Sequence, residues 1–301
     1  MKISGKVLNV KDGDAIIIHA EKNDKDLLIV IDGGEGHGAK VCSDVDLYCK
    51  KLEKEAPDLI ICTHFDEDHI SGVIDLIEKY QNKIKMIWIH QPVAAVKELF
   101  EAANAVLERI NSTGMTTKIN EEKLHQNYMV SLNHEKYEMI LEKIKKIDLL
   151  FQTIKKYNIL TKQPFANNCA IAGWEEIKII GPTEAYYKEV FKKTHNLLEF
   201  FEEEYEGILL EKIEKTILAP GQDPCVLMKK TSASITPTNK ASTIVCFECE
   251  DGKYLFTGDA GIESFKETIG YPDYIRNLKF LKIPHHGSNN NMSKDLVVNS
   301  G

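Results

Sequence analysis

The sequence predicts an α/β protein in which strands and amphipathic helices alternate. In residues 1–90 the apolar pattern switches between the two-residue period of strands and the 3.6-residue period of helices. Long helical stretches follow, and strand patterns return after residue 176. Hydrophobic residues make up 43% of the 301 residues and charged residues 28%, which is typical of a folded globular protein. This composition excludes the collagen-like, disordered and small disulfide-rich classes.

The first half is expected to open with an antiparallel meander of three strands. These strands cover residues 7–10, 15–18 and 27–31, and polar turn residues separate them. Helical spacing over 43–54 is followed by Pro57 and a buried strand over 59–62. A second helix is expected over 70–80 and another strand over 84–89.

Two helical insertions are expected in the rest of the chain, at about 93–160 and 184–225. Both stretches are expected to be helical, and the Met and aromatic residues of the first are expected to face the core. The remaining strands are expected over 177–180, 243–247, 254–256 and 280–283, with a hairpin around Asp251 and Gly252. We therefore expect one domain over residues 1–301.

Charge and targeting signals favour a cytoplasmic protein without a membrane segment. The longest apolar runs fall far short of the roughly 20 residues that cross a bilayer, and the N-terminus lacks the apolar core of a signal peptide. Seven scattered cysteines without a C-x-x-C pair favour reduced thiols. The formal net charge of −8 argues against a broad basic surface, so a polyanionic substrate would have to be held locally.

The strongest chemical signal follows the buried strand over 59–62. Four side chains that bind divalent metals fall within six residues: His64, Asp66, Asp68 and His69. A loop at the end of a strand can turn these four side chains towards one point. The alternative is a solvated acidic loop in which Asp66 and Asp68 cap the following helix.

Two later segments also place Asp or His residues just beyond a predicted strand. Asp259 follows the strand over 254–256, and His285 and His286 follow the strand over 280–283. Each segment alone is weak evidence, because Asp after Gly commonly forms a turn. Together with the first cluster they indicate one convergent metal site.

These motifs resemble those of the metallo-β-lactamase superfamily. Its signature H-x-H-x-D-H is present over 64–69, with Asp66 in place of the second His. This form is similar to the soluble nuclease-like domain of ComEC-type competence proteins, in which the loop reads H-P-D-x-D-H-x-G-G. Further motifs of that domain match residues 12–15, 28–34, 239–242 and 285–288. The resemblance covers roughly residues 3–90, 171–183 and 236–290, and it implies an αββα sandwich with helical insertions.

The resemblance also implies a metal-dependent hydrolase with two divalent ions. It assigns His64 and Asp66 to one ion, Asp68 and His69 to the second, and Asp259 as the carboxylate that bridges them. His285 is expected to be the last ligand, and the catalytic residues are expected to be Asp68 and His286. The candidates for substrate binding are Asp14, Asn239, Ser242 and Ser288.

Ligand chemistry limits the identity of the ions. The third His of lactamase-like sites is missing, since Asn239 and Ser242 occupy the aligned region, so one ion is expected to bind weakly. Because three Asp residues make the site rich in oxygen ligands, Mn²⁺ or Mg²⁺ is favoured, while Zn²⁺ stays open.

The first functional hypothesis is a phosphodiesterase, specifically a DNA nuclease, that uses a metal-activated hydroxide. A second enzymatic hypothesis is hydrolysis of a small phosphodiester, lactone or thioester at the same site. A third is a helical interaction module on a degenerate fold. The insertions are candidates for binding a protein partner, and the lysines over 229–240 are candidates for binding a phosphate backbone, with a flexible polar loop as the alternative.

Overall fold

The computed structural model describes residues 1–11, 13–91, 134–192, 235–288 and 290–300. The described strands are β1 Lys2–Val7, β2 Ile16–Lys22, β3 Lys25–Ile31, β4 Leu59–Ile61, β5 Met86–Trp88, β6 Leu160–Lys162, β7 Ile177–Gly181, β8 Ile244–Cys249, β9 Gly252–Phe256 and β10 Leu278–Leu281. The described α-helices are α1 Gly38–Lys51, α2 Glu67–Tyr80, α3 His134–Lys156, α4 Glu184–Lys192, α5 Pro237–Lys240, α6 Ile262–Lys266 and α7 Lys294–Ser300. The predicted α/β class is confirmed.

The strands form two sheets. The first has six strands in the order β1-β2-β3-β4-β5-β6, antiparallel from β1 to β3 and parallel from β3 to β6. The second has four strands in the order β10-β9-β8-β7, in which only the pairing of β10 with β9 is parallel. The hairpin expected around Asp251 and Gly252 joins β8 to β9, where Cys249 pairs with Gly252.

The two sheets pack face to face between two layers of helices. The side chains of β2 alternate between the two faces of the first sheet: Ile16 and Ile18 face the second sheet, while Ile17 faces the helices. The inner face of the second sheet contributes Val245 and Phe247 to the core between the sheets. Helices α1, α2 and α3 cover the first sheet, and α6 and α7 cover the second. The arrangement is an αββα sandwich.

The first strand lies elsewhere than predicted. We expected it over residues 7–10, but β1 spans Lys2–Val7, and Leu8 and Val10 are buried in the loop after it. Most side chains of this edge strand are exposed, so its sequence lacks the apolar alternation of a half-buried strand. Pairing with β2 determines the strand instead.

The described part of the first predicted insertion is helical over His134–Lys156, and a short strand follows it. Helix α3 packs against α2, and Leu160–Lys162 then forms β6, a strand parallel to β5 at the sheet edge. Three residues are too few to show a strand period in sequence. The parts of the predicted insertions over 93–133 and 193–225, and the lysines at 229 and 230, lie outside the described residues.

Within the described residues, no helix combines the length and apolar character that spanning a membrane requires.

Candidate metal centre

The ends of four strands converge on one side of the sandwich. Strand β3 leads into Asp32, β4 into the loop that carries Thr63 and His64, β9 into Asp259, and β10 into His285 and His286. The first sheet therefore contributes the motif over 64–69, and the second sheet contributes Asp259 and the His pair. The structure brings together the three segments that the sequence predicts to converge.

The carboxylate of Asp259 lies at the centre of this cluster. It is 2% exposed, and its Oδ2 atom lies 3.3 Å from Nε2 of His69 and 3.8 Å from Nε2 of His64. The same oxygen lies 3.8 Å from Nε2 of His285 and 3.6 Å from Nε2 of His286. Four imidazoles thus surround a single carboxylate oxygen.

Asp66, Asp68 and His69 lie at the start of α2. Asp66 occupies the N-cap position with an extended backbone, but its carboxylate makes no capping hydrogen bond. Its Oδ1 instead accepts from Nζ of Lys143 on α3 at 2.7 Å, and its Oδ2 lies 3.7 Å from Nε2 of His64. Asp68 and His69 follow in the first turn of the helix. The alternative in which Asp66 serves as a helix cap therefore does not describe this structure.

A buried hydrogen-bond network orients His64 and His69. Nδ1 of His69 donates to Oδ2 of Asp32 at 2.8 Å, and the hydroxyl and N–H of Thr63 also donate to the Asp32 carboxylate. Since the Thr63 hydroxyl donates to Asp32, its oxygen accepts from Nδ1 of His64 at 3.0 Å. These partners assign the Nδ1–H tautomer to both rings, so that both Nε2 atoms face Asp259.

A tight turn carries His285 and His286 into the site together. The two residues have φ angles of 49° and 52°, in the left-handed region, so the backbone bends sharply after Pro284. Nδ1 of the buried His285 lies 2.9 Å from Oδ1 of Asn291, which directs its Nε2 towards Asp259. His286 is more exposed, and its Nε2 lies 3.1 Å from Oδ2 of Asp68. Their division into ligand and catalytic group stays a prediction, because both rings reach Asp259.

The carboxylates and imidazoles of the site stabilise each other's charged forms. Burial opposes protonation of His69, but Asp259, Asp68 and Asp32 outweigh it and hold its pKa well above the ordinary value. Burial also opposes ionisation of Asp259, but His69 and His285 outweigh it and hold its pKa well below the usual range. A field that holds a proton on a buried imidazole also favours a divalent cation at the same nitrogen.

The residues present fit a divalent metal ion. The Nε2 atoms of His64 and His69 and the Oδ1 atom of Asp259 are buried without a hydrogen-bond partner among the described residues. Unsatisfied buried polar atoms are costly, and a metal ion would satisfy them. Asp68, His69, Asp259 and His286 each offer a ligand atom within 4.8 Å of the others. The donors are imidazole and carboxylate, which bind Zn²⁺, Mn²⁺ and Mg²⁺ to different degrees.

The four candidates for substrate binding have different surroundings. Asp14 is buried and forms an ion pair with Lys282, and its Oδ1 lies 3.8 Å from Nδ1 of His286. Ser242 is fully buried, and its hydroxyl accepts the N–H of Asp259, which helps to position that residue. Asn239 is also buried, within the short helix α5. Ser288 closes the turn after His286, with its N–H bonded to the carbonyl of His285.

Three residues of the site were not predicted from the sequence. Asp32 follows β3 in the matching segment over 28–34, and that position after a buried strand is a signal of its role. Lys282 is buried beside Asp14, and its Nζ lies 3.7 Å from Oδ1 of Asp259. Lys143 comes from the predicted insertion, where its helical pattern carries no sign of the site.

Comparison with known families matches the first part of the chain. Residues 9–133, which include Asp32 and the motif over 64–69, match the family model described as the metallo-beta-lactamase superfamily. The matched segment is similar to the metallo-β-lactamase superfamily, and the αββα sandwich agrees with the fold class that the sequence predicts. The matched family indicates a metal-dependent hydrolase, in agreement with the donor set of the site. The match does not extend to Asp259, His285 and His286, whose place in the site comes from the structure.

Comparisons with individual proteins add little about function. A crystal structure of a candidate metallo-β-lactamase from Thermotoga maritima matches 86% of this chain and 77% of its own, with 12% identity and a TM-score of 0.34. At this TM-score no argument about activity follows. A search of curated proteins finds no significant match.

Proposed function

We propose that this protein is a metal-dependent phosphodiesterase whose substrate is DNA. The observation that carries the proposal is the buried Asp259 carboxylate, with four imidazole Nε2 atoms 3.3 to 3.8 Å from its Oδ2. Asp66 and Asp68 add two carboxylates on the α2 side of the cluster. These residues together would hold divalent metal ions.

The resemblance implies how the ligands would divide between the two ions. His64 and Asp66 would hold one ion, and Asp68, His69 and His285 would hold the other, with Asp259 shared. When bound, divalent ions in such a site polarise water and offset the charge that develops on phosphoryl oxygens. The donor set is richer in oxygen than an all-His site, which favours Mn²⁺ or Mg²⁺ and leaves Zn²⁺ open.

The protein's own residues would bind and orient the reacting groups. Asp32 holds His69, and Asn291 holds His285, so that each Nε2 faces the centre of the site. His286 lies on the more exposed side between Asp14 and Asp68, where its imidazole would give a proton to the leaving oxygen. Lys282 would keep positive charge beside Asp259.

DNA as the substrate is supported by the chemistry of the donors and by the resemblance to ComEC-type nuclease domains. Hard divalent ions and nearby ammonium groups match a phosphate backbone. The net charge of −8 means that these local groups, rather than the general surface, would attract the polyanion.

The test is hydrolysis by the purified full chain with Mn²⁺, Mg²⁺ or Zn²⁺. The substrates are linear and circular, single- and double-stranded DNA, bis(p-nitrophenyl) phosphate, a lactone and a thioester. We expect metal-dependent cleavage of DNA and a loss of more than about 100-fold in Asp259→Asn, since loss of outer contacts to a ligand already costs about 10–100-fold. The matched control is Asp273→Asn, because the Asp273 side chain is 88% exposed and lies outside the site.

Two results would contradict the proposal. Hydrolysis of the lactone or thioester without cleavage of any phosphodiester would leave a metal-dependent hydrolase but reject this substrate class. Equal DNA cleavage by the wild type and Asp259→Asn would reject the site itself.

A further inference from the structure

Lys143 reaches from helix α3 into the candidate metal centre. Its Nζ lies 2.7 Å from Oδ1 of Asp66 and 3.2 Å from the hydroxyl of Thr238. The Thr238 hydroxyl also lies 3.3 Å from the same Asp66 oxygen. The Lys143 side chain is 16% exposed, so this contact is largely shielded from solvent.

The packing of α3 fixes the position of this lysine. Ile144, Ile147 and Leu150 of α3 are buried in the core that α2 shares. A second ion pair joins the same helices, from Nζ of Lys146 to Oε1 of Glu67 at 3.0 Å. Lys143 is therefore held over the start of α2 by the helix that carries it.

The contact divides the two oxygens of the Asp66 carboxylate between different partners. Lys143 and Thr238 contact Oδ1, while Oδ2 faces Nε2 of His64 at 3.7 Å. A carboxylate can bind a metal ion through one oxygen or through both. With Oδ1 occupied, Asp66 presents a single oxygen towards His64.

The charges around Asp66 also favour its contact with Lys143. Asp66, Asp68 and Asp259 place three carboxylates around a few buried imidazoles, and closely spaced like charges are costly without compensation. The Lys143 ammonium offsets one of these charges through a direct hydrogen bond, which is stronger than a bond between neutral groups.

We propose that Lys143 is a positioning residue that fixes Asp66 as a ligand through Oδ2 alone, which makes helix α3 part of the metal centre. This inference rests on the metal site of the proposed function. Without Lys143, the Asp66 carboxylate loses its charged donor and must be ordered by the metal ion itself, at a cost in affinity.

Calorimetric titration of the full chain with Mn²⁺ tests the proposal. We expect Lys143→Met to weaken Mn²⁺ binding by about 10–100-fold, the usual effect of losing a partner that orients a ligand. In an Asp66→Asn background, Lys143→Met should add no further loss, because the two residues act through one contact. Lys146→Met is the matched control on the same helix and should bind as the wild type does. Thermal unfolding of every variant identifies any loss of fold.

Each outcome decides between the two proposals. Two results would overturn the role of Lys143 while leaving the metal site intact. One is wild-type Mn²⁺ affinity in Lys143→Met. The other is a loss of affinity on adding Lys143→Met to Asp66→Asn that equals the loss in the wild-type background. Tighter binding in Lys143→Met would show that the lysine competes with the ion, which also overturns it. A wild-type chain that binds no Mn²⁺, Mg²⁺ or Zn²⁺ would overturn the metal site and this inference together.

Discussion

Asp259 shows how single residues of this protein are held in place for chemistry. Its N–H donates to the Ser242 hydroxyl at 3.1 Å, and the residue before it, Gly258, has a φ of 50°. A Cβ at Gly258 would lie 2.8 Å from the Thr63 side chain, so a close approach of the two sheets requires glycine there. The carboxylate is thereby fixed beside the His64 and His69 rings.

Asp32 should control metal affinity without touching the metal. Asp32→Asn replaces one carboxylate oxygen by an NH₂ donor, so the side chain can no longer accept all three hydrogen bonds from Thr63 and His69, and the His69 ring loses its fixed orientation. We expect Mn²⁺ affinity to fall by about 10–100-fold in a calorimetric titration. Asp24→Asn, in the exposed turn between β2 and β3, is the control. Unchanged affinity in Asp32→Asn would show that this network does not orient the ligand.

The sequence predicts site residues where a reactive side chain follows the end of a strand. Asp259 and His69 are reactive residue types placed directly after or near buried strands, and this pattern is visible without a structure. Lys143 and Lys282 could not be predicted, because a lysine on a helix or beside a strand ordinarily faces solvent. Their burial depends on contacts between segments far apart in the chain.

At the scale of elements, a close contact between Gly33 and Gly72 places the start of α2. Gly33 donates its N–H to the carbonyl of His69, and Gly72 donates to the carbonyl of Gly34. A Cβ on Gly72 would lie 1.9 Å from the carbonyl oxygen of Gly33. The helix can therefore approach the end of β3 only because both residues lack a side chain.

Gly72→Ala should destabilise the protein, although alanine is ordinarily better than glycine within a helix. The added methyl group meets rigid backbone, so we expect a loss of about 1–3 kcal/mol in the free energy of unfolding. Urea denaturation measures the change, with Ser71→Ala at the half-buried neighbouring position of the same helical turn as the control. An increase in stability for Gly72→Ala would show that the contact is looser than described.

Elements with a clear apolar period could be predicted, and those without one could not. Strands β3 and β4 are buried and apolar, and the structure contains both close to their expected positions. Strand β1 is exposed along most of its length, and β6 has three residues, so both form through pairing with a neighbour. Helix α2 begins at Glu67 rather than at residue 70, because its first turn carries the polar ligands.

For the whole molecule, the candidate metal centre combines residues from the two sheets of the sandwich. His64 and His69 follow β4 of the first sheet, and Asp259 and His285 follow β9 and β10 of the second. The core between the sheets sets the distance between these groups. Helix α3 adds Lys143 from the outer layer, so three of the four layers contribute to one site.

The central claim is that these groups form a metal centre, and the metal content of the purified chain tests it most directly. We expect elemental analysis to find up to two divalent ions per wild-type chain after dialysis against buffer that contains Mn²⁺. Asp259→Ala should lose most of this metal, because its carboxylate faces all four imidazoles, whereas the exposed control Asp273→Ala should retain it. Equal metal content in the wild type and Asp259→Ala, or no bound divalent metal in the wild type, would contradict the claim.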